Sequence, residues 1–205
     1  MDILDYFDQL EELSRARRWD ELELAMLGAA RSFAGPDMAT TIERVPLGDY
    51  ARDIGSALKN ACGKAAASGH EAVLFRYELD ATWSGQFFTC PNYEPFSGDE
   101  EWWVTEAQAV GSVLAMPALG AIYAAHGSAG GDSAASVMLA LVGRTVATLG
   151  RQSDTMPVTG LAICAAYTGQ EPFTRIVDQE GSDAASDDAG ADDLGDFLPG
   201  GVTDL

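Results

Sequence analysis

The chain has 205 residues, of which 32 are acidic and 12 basic, only two histidines, and a formal charge of −20. A field of that sign and size repels nucleic acid and anionic membrane and draws in basic proteins, so the composition excludes the first two as natural partners and favours the third. Three cysteines, Cys62, Cys90 and Cys164, are far apart and odd in number, with no CxxC or Cys/His pairing; they read as buried thiols of a reducing compartment rather than a disulfide framework or zinc site.

The N-terminus, Met1 to Asp5, is acidic where a signal peptide would be basic, and no apolar run reads as long enough to span a bilayer. The expected location is the cytosol. Residues 2–33 follow helical spacing, with Ile3, Phe7, Leu10 and Leu13 on one stripe and Leu22, Met26, Ala29, Ala30 and Phe33 on another. They predict two helices, or one bent near Trp19-Asp20, ending at Gly35-Pro36. Asp2 and Asp5 suit the positive end of the first helix dipole and Arg15, Arg17 and Arg18 its negative end. A short strand over Thr40 to Val45 is expected next, then a helix from Asp49 to Ala67 with Ile54, Leu58, Ala61 and Ala65 aligned, stopped by Ser68-Gly69.

The period then changes. Glu71 to Leu79 is rich in strand formers, Gln86 to Cys90 is a second such run, and Asp80 to Gly85 forms the turn between them, so an antiparallel hairpin is predicted. Pro91 and Pro95 force an irregular stretch. Ser97 to Glu101 reads as the start of a helix carrying Trp102 and Trp103, and the alternative is a further strand over Glu101 to Thr105. Thr105 to Ala125 is alanine-rich and expected to be helical with a break near Pro117. Gly127 to Asp132 is a flexible break, and Val137 to Leu149 is an amphipathic helix whose wide apolar face predicts burial against a sheet. Gly160 to Thr168 and Pro172 to Val177 close the body as two strands. The sum is an α+β fold.

Residues 178–205 hold nine acids and no Lys or Arg, in a Gly, Ser, Ala and Asp background too apolar-poor to offset the entropy of ordering. The expected organisation is a globular domain over 1–177 and a disordered acidic tail over 178–205, with Leu194, Phe197 and Leu198 as one short docking element. The body keeps 23 acids against all 12 bases, so a partner-facing surface need not be the tail.

The densest mixture of acids and large aromatics lies between Glu78 and Glu106. Aromatics give contact area at low rotamer entropy, and surrounding carboxylates select Arg- and Lys-rich partners. Glu78, Asp80, Trp83, Glu94, Glu100, Glu101, Trp102 and Trp103 are therefore the candidate partner-binding residues. The alternative places the Trp side chains in the core and the carboxylates merely in water; for at least one of Trp102 and Trp103 the core is expected. His70 and His126 each follow a helix end, where His126 serves as a cationic cap, and neither has the companions of a nucleophile elbow, HExxH pair or phosphate loop. Glu78 and Asp80 share a strand face and could approach Glu94 or Glu101 as a glycosidase-type pair. The tail aspartates Asp183, Asp187, Asp188, Asp192 and Asp193 lack the spacing of a calcium loop. No catalytic residue, cofactor or metal is expected.

At Phe75-Arg76-Tyr77-Glu78-Leu79-Asp80, Trp83-Ser84-Gly85-Gln86-Phe87-Phe88 and Cys90-Pro91-Asn92-Tyr93 the sequence resembles small bacterial immunity proteins found beside polymorphic toxins. In those, a strand ending in acids leads into a Trp-containing turn, an aromatic strand and a further Trp-bearing segment. The resemblance implies a cytosolic inhibitor without catalysis of its own, which binds a cognate toxin, often a basic nuclease, and blocks its active site. Two other readings share the composition: a DNA-mimic inhibitor of a nucleic-acid-binding protein, and a small carboxylate-dependent hydrolase.

Overall fold

The computed structural model describes residues 2–93, 107–156, 160–169 and 174–178. The predicted tail beyond Asp178 and the segment holding Trp102 and Trp103 lie outside them.

Helix α1 (Ile3–Arg15) starts where the Asp2 N–H donates to Asp5 Oδ2 at 2.6 Å. Its end is a left-handed closure: Arg17 takes φ 54°, its N–H reaches Ser14 O at 2.9 Å and Arg18 N–H reaches Leu13 O at 2.9 Å. This is the cap geometry that turns a helix back on itself, and α2 (Trp19–Phe33) packs on α1 as a second helix, the first of the two arrangements expected for residues 2–33. Gly35 and Pro36 then start α3 (Pro36–Glu43) instead of the expected strand over Thr40 to Val45. Proline at the first helical position presets the backbone angle, Ala39 and Ile42 are buried at a helical interval, and the Thr40 and Thr41 hydroxyls donate to Pro36 O and Asp37 O at 2.9 and 2.8 Å. These two β-branched residues are thus accommodated in a helix by bonds to the preceding turn. Helix α4 (Gly48–Ser68) buries Tyr50, Ile54, Leu58, Ala61 and Ala65 and stops at Gly69, φ 68°.

Strands β1 (Ala72–Tyr77) and β2 (Ser84–Cys90) form the predicted antiparallel hairpin, with Phe75 opposite Phe87. The chain next gives β3 (Gln108–Ala115), antiparallel to β2, where a helix was expected. Alanine is only a weak helix prior. Val110 sits opposite Phe87 with its side chain buried, so tertiary pairing decides the conformation. The helical expectation holds beyond that point, in the short α5 (Pro117–Ile122) and a π-helical turn at Tyr123–Gly127. Helix α6 (Asp132–Ser153) leads back to β4 (Ala162–Tyr167), parallel to β1, and β5 (Thr174–Val177) closes antiparallel to β4. The sheet order is β3-β2-β1-β4-β5, and the fold is α+β.

One sheet face, with Val73, Phe75, Tyr77, Phe87, Ile163 and Ala165, joins the main core under the helices; the other holds a smaller cluster of Ala72, Leu74, Cys90, Tyr93, Ala162, Cys164 and Ala166. Helix α6 runs through the main core, buried at every position from Leu139 to Gly150. Its 22 residues and a mean hydropathy of 1.4 over 18 of them are long and apolar enough to cross a membrane, which corrects the expectation that no such run exists; 83% of that stretch is buried inside the protein. It packs most extensively on α2, with α4, α1 and β5 around it, so helices rather than the sheet take up most of the wide apolar face predicted to lie on a sheet. At the α2 contact a side chain at Gly150 would meet the Trp19 ring at 2.5 Å, so only glycine allows this approach.

Candidate functional site

Of the eight predicted partner-binding residues the structure describes three. Asp80 sits exposed in the β1–β2 turn, where its Oδ1 accepts from Thr82 Oγ1 at 2.7 Å, Thr82 N–H at 2.8 Å and Trp83 N–H at 2.9 Å. Those bonds, the Thr82 hydroxyl first, hold its carboxyl below the ordinary aspartate value. Glu78 is also exposed and accepts from Thr168 Oγ1 at 2.6 Å. The two carboxylates are thus engaged separately by local hydroxyl and amide donors. Glu94, Glu100, Glu101, Trp102 and Trp103 lie outside the described residues.

Trp83 is a correction: it is 0% exposed and cannot meet a partner. The Asp80 turn delivers the chain to Trp83 in the left-handed region, φ 48°, and this sends the indole inward. There its Nε1–H donates to Thr145 Oγ1 on α6 at 2.9 Å, with the Tyr77 and Tyr123 rings each 5.7 Å away. Gly120 seals the turn from above, since a side chain there would lie 2.2 Å from Ala81 O. Two buried hydroxyls of the core, Tyr50 and Tyr77, have no hydrogen-bond partner among the described residues. Burial pushes both phenols up.

Among the described residues the strongest concentration of exposed charge lies elsewhere, on the N-terminal helices. Residues 2–47 carry ten carboxylates against five arginines, whereas the rest of the described chain carries eight acids against seven bases. On α1 the outward face presents Leu4, Asp8, Glu11, Glu12 and Arg15 at helical intervals, with Phe7 and Asp5 on its flanks. Leu4 is 65% exposed and Phe7 36%, and Leu24 on α2 is 66% exposed. Beside them Asp8, Glu11, Glu12, Arg15 and Ala16 line an open recess of about 460 Å³. Glu11 pairs with Arg15, whereas Asp8 and Glu12 form no ion pair among the described residues. Leu4 and Leu24, apolar residues off the buried stripes, were the sequence signal for this face.

The acidic hairpin is fastened to α6 by ion pairs and hydrogen bonds. Asp154, just past α6, accepts from Arg17 and, at 2.7 Å, from the Trp19 indole N–H. Arg151 bridges Asp20 at 2.8 Å and Glu23 at 2.7 Å, and Glu23 also takes Arg144 Nε at 2.8 Å, while Arg144 donates to Ile42 O. A recess of about 390 Å³ opens over this network, and the guanidinium groups lining it already face carboxylates. Its role is to hold α1, α2 and α3 in fixed register on α6.

Among the described residues no group of three or more His, Cys, Asp or Glu is placed to hold a metal ion. The three cysteines are free thiols, and burial pushes Cys62 up to about 11 and Cys90 up to about 12. No family model, curated protein or solved structure matches this chain.

Proposed function

We propose that this chain is a non-catalytic binding protein that captures a basic protein partner on the outward face of α1 and α2. The observation that carries the reading is the outward face of α1, where exposed Leu4 and Phe7 stand among Asp5, Asp8, Glu11 and Glu12, with exposed Leu24 and Glu21 on the neighbouring α2. Carboxylates of this density steer a cationic partner and raise its association rate, while desolvated apolar side chains hold it once docked. Rigid fastening of that face to α6 supports the same reading, because a preorganised surface loses less entropy on binding. The resemblance at the hairpin supports a toxin as that partner and a cytosolic immunity protein as the role of this chain, a setting that three free thiols also suit.

The test uses wild type and the double variant Asp8→Lys/Glu12→Lys as bait in the cell's own lysate at low salt. The expected result is one stoichiometric basic protein held by the wild type, released by the variant, and inhibited in its own activity only by the wild type. Equal capture by both, or no specific capture by either, overturns the proposal.

A further inference from the structure

The point at which the chain leaves the described fold lies beside the acidic face. Strand β5 packs against α1, where the Ser14 hydroxyl donates to Arg175 O at 2.7 Å in a buried bond. The Arg175 guanidinium reaches Asp178 Oδ2 through Nη1 at 3.5 Å and Glu11 Oε1 on α1 through Nη2 at 4.0 Å. One buried cation is thus shared between the last described residue and the acidic face. Asp178 is also fixed through Oδ1, which accepts from the Tyr93 hydroxyl at 2.6 Å.

Residues 179–205 follow, outside the described residues, with eight acids and no Lys or Arg. The stretch 179–193 holds six of those acids and no apolar side chain larger than alanine. Such a composition attracts cations at a range of about one Debye length, roughly 8 Å at physiological salt, and further in dilute salt. It offers no apolar side chain with which to hold a docked partner. The α1 face has what that stretch lacks, since Leu4 and Phe7 supply contact area beside Asp8 and Glu12. Like charge disfavours the stretch as an occupant of that face.

We infer that residues 179–193 steer the basic partner onto the α1 face, raising its association rate while adding no contact that holds it once docked. This rests on capture by α1 as proposed above and divides the work: the charge of 179–193 sets how fast the partner arrives, and α1 sets how long it stays. The shared Arg175 gives the steering a direction. A cation drawn toward residues 179–193 comes to the strand that packs on α1, and not to α4, where Lys59 and Lys64 are exposed. Attraction of this kind acts on association and fades with salt, whereas desolvated contacts act on dissociation.

Stopped-flow fluorescence tests it on the full chain, with a dye-labelled synthetic peptide of alternating lysine and leucine as the cationic probe. The neutralised variant carries Glu180→Gln with Asp183→Asn, Asp187→Asn, Asp188→Asn, Asp192→Asn and Asp193→Asn, and its far-UV circular dichroism spectrum is the folding control. Its association rate constant at low salt should be about tenfold below that of wild type, with an equal dissociation rate. The difference should close at about 0.5 M salt. Asp8→Lys/Glu12→Lys should raise the dissociation rate in the same assay. An unchanged association rate in the neutralised variant overturns the inference; if Asp8→Lys/Glu12→Lys still weakens binding, capture by α1 stands. A raised dissociation rate in the neutralised variant overturns it equally, because the stretch then holds the partner. Binding that the neutralised variant loses and Asp8→Lys/Glu12→Lys keeps overturns both and assigns capture to residues 179–193. A wild type that does not bind the peptide at low salt also overturns the inference.

Discussion

Replacing Trp83 by Phe separates a core residue from a contact residue. The indole N–H to Thr145 bond, 2.9 Å and fully buried, contributes about 1 kcal/mol net. The smaller ring buries roughly 50 Å² less apolar surface, about another 1.2 kcal/mol at 25 cal/mol/Å². The backbone cost of φ 48° is common to both residues and drops out. Trp83→Phe should therefore lose about 2 kcal/mol, which for a chain of this size is roughly 4–8 °C in Tm. Urea unfolding followed by far-UV circular dichroism measures it, with capture of the basic partner measured in parallel. Thr145→Val should cost a similar amount, because it leaves the same indole N–H buried and unpaired. Unchanged stability in Trp83→Phe combined with lost partner capture would refute the burial argument and return Trp83 to the surface.

Glu23→Ala should destabilise by about 3 kcal/mol in the same urea assay, because it leaves Arg144, only 8% exposed, without its carboxylate; Asp49→Ala, which breaks the open pair with Arg52, should change stability by under about 0.5 kcal/mol. Tyr77→Phe should be neutral or slightly stabilising, since the lost hydroxyl is buried and unpartnered; a clear loss of stability would mean that the hydroxyl has a partner. Asp80 titrates below its ordinary value of 3.8 when folded. Its contribution is therefore fully present above that pH and disappears as pH falls through the lower folded value. The stability gap between wild type and Asp80→Ala should be constant near neutrality and narrow below about pH 3.8; a gap that widens in acid would contradict the sign.

The helices and hairpins that local pattern dictates were legible. Leu22, Met26 and Ala29 on α2 and Ile54, Leu58, Ala61 and Ala65 on α4 follow the spacing of a buried stripe, and all are buried. The β1–β2 hairpin was legible because two strand-forming runs flank a polar turn. Thr40 to Val45 is helical because Pro36 starts a helix that buries Ala39 and Ile42, and β3 is a strand despite its alanines because Val110 pairs with Phe87, more than twenty residues earlier. The site was less legible than the fold. Glu78 and Asp80 are exposed, as charge alone requires. The direction of Trp83 depends on three hydrogen bonds to Asp80 and a positive φ, which no periodicity encodes. On α1 the stripe reading placed Phe7 inside, yet it stands at the margin beside exposed Leu4, so the apolar part of the acidic face was hidden in a pattern that looked wholly structural.

Of the formal charge of −20, six units lie on the described residues, and these are unevenly shared. Residues 2–47 hold a net charge of −5, ten acids against five bases, and the remaining described residues a net charge of −1, eight against seven. A uniformly acidic surface would repel a second copy everywhere and attract cations everywhere, giving solubility without specificity. Among the described residues the acid excess is instead gathered on the N-terminal helices, so a cationic partner is steered to one face rather than to all of them, and that concentration is what the Asp8→Lys/Glu12→Lys variant reverses.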